Sequence, residues 1–224
     1  MILIIRGHIR NSFDNDRLLI LIKLINILNS DIKIYIHTWN IFANNISWRK
    51  IIQNNNIVTK ETIYNYFDEV KNLIEDIIID DDTNIELIGN LQGCINNGPM
   101  PIIGWKNYWY GKYKIIKHLY DKKIDPNKMI INLRFDILNN SNDLSEIDIL
   151  QFIKDNKENQ IKKNIFIKDN EFFGLDNIYI GNLKTIYILN HYFHYFLDEI
   201  LLKINNTPHQ EFIVYRLNNI LSNK

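Results

Sequence analysis

The chain opens with Met1-Ile-Leu-Ile-Ile-Arg6-Gly7-His8-Ile9-Arg10, and this stretch decides the fold class. Residues 2–5 are continuously apolar and mostly β-branched, so a strand formed by them needs cover on both of its faces. Such a strand is typical of the interior of an α/β sheet. Gly7 permits a tight turn directly after the strand.

A β-α-β unit is predicted from these first residues. Ser12 can cap a helix whose apolar residues keep helical spacing, and residues 31–37 alternate as a second strand. A right-handed crossover makes the two strands parallel. In open parallel sheets, ligands bind beyond the carboxyl ends of the strands. We therefore expect Arg6-Gly7-His8 and His37-Thr38-Trp39 to lie at a ligand-binding edge.

The rest of the sequence continues this pattern, and no repeat, linker or charge run divides it. We predict a single Rossmann-like α/β domain over residues 1–224, with a central, mostly parallel sheet flanked by helices. The polar stretch 139–163 is expected to be a surface excursion. Further strands are predicted at residues 85–88, 129–135, 165–167 and 177–180. Further helices are predicted from Thr59 to Ile74, from Trp105 to Leu119, from Asn182 to Leu201, and from Thr207 with Pro208 in its first turn.

Composition excludes several classes of function. The 224 residues are 46% hydrophobic and 12% aromatic, which is enough for a full core. The net charge is zero and the pI about 7.0, so we expect no nucleic-acid partner. Cys94 is the single cysteine, which rules out an intramolecular disulfide and cysteine-rich zinc sites.

The first residues and the hydropathy pattern predict a cytoplasmic protein. Arg6 follows the apolar start too soon for a signal peptide. No apolar run in the sequence approaches the roughly 20 residues that a transmembrane helix needs.

The first candidate site is the loop that carries Arg6, Gly7, His8 and Arg10. Two arginines and the amide groups that open the next helix can hold a phosphate or a nucleobase. The spacing matches neither the dinucleotide-binding fingerprint nor a P-loop. The alternative is a strand-to-helix turn with solvated arginines.

The second candidate site is Arg134-Phe135-Asp136, at the end of a predicted buried strand. A carboxylate there is costly unless it is paired or binds a metal, and a nucleoside diphosphate commonly binds with Mg²⁺ or Mn²⁺. Arg134 and Asp136 share one face of the strand, so an ion pair between them is the alternative.

Asp80-Asp81-Asp82 contains the D-x-D pattern of metal-dependent sugar transferases. Because the predicted strand at 85–88 follows it, we place this acidic run at the amino edge of the sheet, as a solvated turn away from the ligand. A different strand order would reverse that placement.

Further candidates lie near the end of the chain and among the aromatic residues. Asp176 or Glu211 could deprotonate an acceptor hydroxyl, and His209 could bind a metal. The alternatives are turn formation at Asp176 and interaction with a helix dipole at Glu211. Four tryptophans belong to the core or stack on a base or sugar ring, namely Trp39, Trp48, Trp105 and Trp109. His191 and His194 are expected to serve packing.

Several stretches together resemble GT-A type nucleotide-sugar glycosyltransferases, such as the N-terminal glycosyltransferase domain of a chlorella-virus protein and related bacterial and giant-virus transferases. These stretches are 5–13, Tyr35-Ile36-His37-Thr38-Trp39-Asn40, Ser47-Trp48-Arg49, Gly104-Trp105-Lys106-Asn107-Tyr108-Trp109-Tyr110, Leu133-Arg134-Phe135-Asp136, 176–182 and Pro208-His209-Gln210-Glu211.

The resemblance implies a GT-A-like fold and a nucleotide-sugar donor, with a UDP-sugar as the favoured donor. It also implies a glycan or other hydroxyl acceptor and a divalent metal, Mn²⁺ or Mg²⁺. The enzyme would be a hexosyl- or deoxyhexosyltransferase. Asp136 would stand at the last Asp of the metal motif, with His209 or Asp176 as a further ligand, while Arg134 departs from the pattern by replacing the first Asp. The donor-binding residues implied are Arg6, Gly7, His8, Arg10, His37, Thr38, Trp39, Arg49, Trp105, Lys106, Tyr110 and Arg134. Asp176 and Glu211 are the implied catalytic carboxylates.

Two other functions remain open at the level of sequence. A nucleotidyltransferase that makes nucleotide-sugars would be expected to carry a glycine-rich phosphate loop, and the first loop has only Gly7. A non-catalytic sugar- or nucleotide-binding module would keep Arg6 and His37 but would not depend on Asp136.

Overall fold

The structure is a computed structural model that describes residues 1–47, 51–139, 143–157, 162–168 and 174–222. Within these ranges the strands are Ile2–Arg6 (β1), Lys33–Trp39 (β2), Ile41–Ala43 (β3), Asn54–Ile57 (β4), Ile74–Asp80 (β5), Met129–Arg134 (β6), Ile165–Ile167 (β7) and Leu175–Asn182 (β8). The helices are Arg17–Leu28 (α1), Lys60–Tyr66 (α2), Ile102–Asp121 (α3), Glu146–Asn156 (α4), Leu183–Tyr195 (α5), Leu197–Lys203 (α6) and Gln210–Ser222 (α7).

A six-stranded sheet in the order β5-β2-β1-β6-β8-β7 forms the centre of the fold. The four strands β5, β2, β1 and β6 are parallel, and β8 and β7 are antiparallel to their neighbours. Helices cover the sheet on its two faces. The predicted α/β class with a mostly parallel central sheet is confirmed, and the architecture is consistent with a GT-A-like, Rossmann-type fold.

Strand β1 divides the core into two layers. Leu3 and Ile5 point into a cluster that contains the buried residues of α1 and α4. Ile2 and Ile4 point into a second cluster, with the buried residues of α3 and α5. All four side chains are almost fully buried, and each contributes about 1.5–3 kcal/mol of hydrophobic stabilisation. The unbroken apolar run in the sequence thus reflects cover on both faces.

The region after β1 differs from its prediction, since Ser12 does not cap a helix. Residues 10–16 form turns and bends, and α1 begins at Arg17 with Asp16 preceding it. We attribute the start of the helix at Arg17 to Phe13, because its ring stacks on Tyr66 at 3.9 Å between centroids and also contacts Phe135. Packing of this ring holds the segment in an irregular conformation that helical spacing alone does not reveal.

The stretch around the acidic run was also predicted wrongly. The helix that Thr59 caps ends at Tyr66 instead of Ile74, and Ile74 begins β5. Residues 85–88 form no strand. Strand β5 therefore ends at Asp80, the first residue of the acidic run, which lies at the carboxyl edge of the sheet and not at its amino edge.

The second half of the chain needs smaller corrections. The stretch 139–163 is more than a surface excursion, since it contains α4, whose Ile149 and Ile153 are buried in the core. The helix capped by Asn182 ends at Tyr195, and α6 continues as a separate helix. Pro208 precedes α7, which begins at Gln210.

No helix within the described ranges combines the length and apolar character that spanning a bilayer requires.

Gly111 lets α3 approach β2 closely. A Cβ atom at this position would lie 2.8 Å from Cε1 and 2.9 Å from Nδ1 of His37, whose side chain is fully buried. We expect Gly111→Ala to lower the free energy of unfolding by about 1–2 kcal/mol, because the steric cost exceeds the gain in helix propensity.

Urea unfolding would measure this change. Lys117→Ala on the exposed side of α3 is the control, and its loss should stay below about 0.5 kcal/mol because it breaks only a surface ion pair with Asp121. Equal stability of Gly111→Ala and the wild type would contradict the close packing of α3 on His37.

Candidate functional site

The carboxyl ends of three neighbouring strands meet at one edge of the sheet. Arg6 at the end of β1 is in register with His37 of β2 on one side and with Arg134 of β6 on the other. The Gly7 amide donates to the His37 carbonyl at 3.0 Å, and the Thr38 hydroxyl donates to the Gly7 carbonyl at 3.0 Å. The predicted convergence of these strand ends is therefore confirmed.

A cleft opens at this edge and is bounded by strand ends, by α3, by the loop after β3 and by the start of α7. Its lining residues are Arg6, Gly7, His8, Arg10, His37, Trp39, Asn44, Ile46, Ser47, Met100, Gly104, Asn107, Tyr108, Gly111, Lys112, Arg134, Asp176, Asn177, Gln210 and Glu211.

Three basic side chains surround one aromatic ring in the cleft, and we call Arg6, Lys112 and Arg134 the cation cluster. Their charged groups lie 4.6, 4.1 and 6.0 Å, respectively, from the centroid of the Tyr108 ring. The electron-rich ring face attracts cations, which partly offsets their mutual repulsion. Burial lowers the pKa of Lys112 well below its usual value, and the charges of Arg6 and Arg134 lower it further.

Arg6 anchors the cation cluster to the sheet. Its Nε donates to Asn132 Oδ1 at 2.6 Å, and its Nη2 donates to the Tyr108 hydroxyl at 3.0 Å and to the Asp176 carbonyl at 3.0 Å. Its Nη1 is buried and has no hydrogen-bond partner among the described residues. Arg6 thus keeps one donor group for a ligand.

Asp176 joins the cation cluster from β8. Its carbonyl accepts hydrogen bonds from Arg6, Tyr108 and Lys112, and its carboxylate Oδ2 lies 3.7 Å from the Lys112 amine. The side chain is almost fully buried beside these basic groups. Asp176 therefore acts as a counter-ion of the cation cluster.

Asp136 lies between two arginines. Its Oδ2 accepts from Arg10 Nη1 at 2.6 Å and from Arg134 Nη2 at 2.6 Å, and the carboxylate is almost fully buried. Arg10 reaches this position with a left-handed backbone, at φ 56°. We call Arg10, Asp136 and Arg134 the arginine–aspartate triad.

The donor set at Asp136 does not fit the predicted metal site. A divalent cation there would have to displace two guanidinium groups from the same carboxylate oxygen. The second predicted ligand, His209, is exposed just before α7 and does not line the cleft. Among the described residues, no group of three or more His, Cys, Asp or Glu side chains could hold a metal ion.

Two residues of the acidic run contact histidine side chains of the cleft. Asp80 Oδ2 lies 3.2 Å from His37 Nε2, and Asp82 Oδ2 lies 3.3 Å from His8 Nε2. Asp82 also accepts a hydrogen bond from Asn44. Only Asp81 behaves as the predicted turn residue, because it binds its neighbour Thr83 at 2.9 and 2.7 Å. The run supports the cleft wall instead of lying at the opposite rim.

Trp39 forms an aromatic wall of the cleft. It stacks on His8 at 5.7 Å and on Tyr110 at 5.9 Å between ring centroids, and His37 meets it edge-on at 5.1 Å. Burial lowers the pKa of both His8 and His37, so both rings are neutral near pH 7. The wall is therefore uncharged and aromatic, unlike the cation cluster.

Several residues predicted to bind the donor do not line the cleft. Trp105 is fully buried in the core against Trp109 and Phe193, which corrects its predicted role. Lys106 is bound to Asp198 at 2.8 Å and to the Ile88 carbonyl. Thr38 and Tyr110 support the loop of Gly7 and the ring of Trp39, respectively, from outside the lining. Arg49 and Trp48 lie outside the described residues.

Tyr108 and Lys112 are site residues that the sequence pattern did not identify. Both lie within the helix predicted from Trp105 to Leu119, where Lys112 is fully buried. A lysine within an otherwise apolar helical face was the available signal, because a buried amine needs a charged or aromatic partner. His191 and His194 contact the rings of Tyr187 and Tyr113, in keeping with the predicted packing role.

Comparison with known proteins gives similarity at the level of structure alone. No protein-family model matches the chain, and neither does any curated protein sequence. A crystal structure of an active-site mutant of LgtC, a glycosyltransferase, aligns with 97% of this chain and 70% of that chain, with 12% sequence identity and a TM-score of 0.45. A similarity at this level assigns no reaction.

The buried imidazole of His37 makes stability depend on pH. The folded state holds His37 neutral below its usual pKa of 6.5, whereas the unfolded chain binds a proton there. We expect the free energy of unfolding to fall between pH 7 and pH 5, and the loss to be smaller in His37→Gln.

Urea unfolding at both pH values would measure the difference. His209→Gln, at an exposed position, is the matched control and should show the loss seen in the wild type. The same loss in His37→Gln as in the wild type would show that His37 is protonated in the folded protein.

Proposed function

We propose that this chain is a glycosyltransferase that moves a sugar from a nucleotide-sugar donor to a hydroxyl acceptor. The observation that carries the proposal is the cation cluster, which shares one cleft with the carboxylates of Asp176 and Glu211 at the carboxyl edge of a parallel sheet. This edge is where open α/β sheets bind their ligands. A UDP-sugar is the first donor to test, on the strength of the sequence resemblance.

The cation cluster suits the leaving group of such a transfer. When the bond between sugar and nucleoside diphosphate breaks, negative charge grows on the diphosphate. Fixed cations beside that oxygen stabilise the transition state more than the ground state. Arg6 and Arg134 are held on β1 and β6, and Lys112 on α3, so they need little reorganisation during the reaction.

The aromatic wall suits the nucleobase. Trp39 and His8 line the cleft beside the cation cluster, and both rings are neutral near pH 7. A planar base can stack against such rings while its diphosphate reaches the cluster. This arrangement separates an aromatic end from a cationic end, as a nucleoside diphosphate requires.

The two cleft carboxylates suit different roles. Asp176 is almost fully buried and is already the counter-ion of Lys112. Glu211 is half-buried in the first turn of α7, where it faces the cleft. We assign Glu211 to the acceptor hydroxyl as general base, if the reaction inverts configuration, and Asp176 to the organisation of the cation cluster.

A donor screen tests the proposal directly. Thermal unfolding should be measured with several nucleotide-sugars, with UDP-sugars first, and each donor should then be assayed for transfer or slow hydrolysis. We expect at least one donor to raise the melting temperature and to release its nucleoside diphosphate. Binding without any turnover would indicate a non-catalytic binding module, and no binding by any donor would refute the donor site.

Glu211→Gln tests the assignment of the base. We expect transfer to fall by about 10²–10⁴-fold, because a general base typically contributes this much, while donor affinity changes little. Steady-state kinetics together with donor titration would separate the two effects. The matched control is Glu199→Gln on the exposed surface of α6, which should transfer at the wild-type rate. A Glu211→Gln enzyme of full activity would refute the role of Glu211.

A further inference from the structure

We infer that the cation cluster and Arg10 bind the donor diphosphate directly, and that no divalent metal ion mediates this contact. The inference rests on the proposed function. It names the counter-charge of the leaving group, and it replaces the metal ion that the sequence resemblance implied at Asp136.

The charges around the triad give the first argument. Arg6, Arg10, Lys112 and Arg134 supply four basic side chains, and the carboxylates described beside them are those of Asp136, Asp176 and Glu211. The basic side chains therefore outnumber these carboxylates. Like charges that converge in this way repel one another, and a bound anion relieves the repulsion.

The geometry of Asp136 gives the second argument. A metal-binding carboxylate offers its oxygens to the cleft, but the Oδ2 of Asp136 already accepts two guanidinium hydrogen bonds, each at 2.6 Å. A cation approaching this oxygen would meet Arg10 and Arg134 first. Asp136 therefore orients the two guanidinium groups, which makes it a positioning residue.

The free donor of Arg6 gives the third argument. Its buried Nη1 has no hydrogen-bond partner among the described residues, although the side chain lines the cleft. Leaving a buried charged donor unsatisfied is costly, so the site is incomplete without an acceptor. A phosphate oxygen satisfies such a donor and matches the fork of a guanidinium group.

The state of Lys112 supplies an independent readout. Burial and its basic neighbours lower the pKa of this amine. A diphosphate beside Lys112 would raise the pKa again, so binding should be accompanied by proton uptake at any pH where the free amine is partly deprotonated. A metal–diphosphate complex carries less negative charge and would cause less uptake.

Calorimetric titration with UDP as the probe tests the inference. Titrations should be run in EDTA and in Mn²⁺, each in two buffers of different ionisation enthalpy. We expect the affinities with and without metal to agree within about twofold, with proton uptake in EDTA, because protein side chains supply the counter-charge. Binding that needs Mn²⁺ would overturn the inference and leave the proposed glycosyl transfer intact. No binding under either condition would overturn both.

Substitutions in the triad separate the two roles of Asp136. Arg134→Met should weaken UDP binding in EDTA by about tenfold or more, since it removes a charged donor. The matched control is Arg216→Met at an exposed position of α7, which should bind as the wild type does.

Asp136→Asn has different effects under the two models. It should change UDP affinity by the same factor in EDTA and in Mn²⁺ if Asp136 only orients arginines, because no metal contact is lost. It should abolish a Mn²⁺-dependent increase if Asp136 is a metal ligand. Circular dichroism should confirm that each variant is folded. A loss of affinity that occurs in Mn²⁺ but not in EDTA, in a folded Asp136→Asn protein, would contradict the inference.

Discussion

Strand β1 is the element on which the rest of the structure depends, because it is paired on both edges and covered on both faces. Its neighbours β2 and β6 are parallel to it and in continuous register over its length. This pairing fixes Arg6, His37 and Arg134 side by side at one edge of the sheet. The two apolar layers hold the strand so firmly that a charged residue can be fully buried at its end. The site is therefore a direct product of the core.

Helix α3 contributes side chains both to the core and to the cleft. Its buried face carries Trp105 and Trp109 into the core, and the same helix presents Tyr108 and Lys112 to the cleft. The absence of a side chain at Gly111 allows the helix to lie against His37. One helix thus joins core packing to the electrostatics of the cleft, and a shift of α3 would move both.

Much of the central sheet could be predicted from the sequence, since apolar runs and periodicity report cover on one face or two. The strand ends that carry Arg6, His37 and Arg134 followed from this pattern. The late start of α1 could not be predicted, because it depends on contacts of Phe13 with rings distant in the chain. The acidic run was misplaced because β5 is less regularly apolar than the other central strands. The role of Lys112 depends on the ring of Tyr108 and on Asp176, and the partner on β8 is far away in sequence.

If the proposed glycosyl transfer takes place, the basic groups around Tyr108 affect the end of the reaction cycle. A nucleoside diphosphate that has lost its sugar carries at least as much negative charge as the intact donor. Groups that hold the donor would then retain the spent nucleotide even more strongly. Departure of this by-product, rather than bond cleavage, would limit turnover, and added salt would accelerate it by screening the attraction. A cleft that attracts anions would therefore release a bound nucleotide slowly.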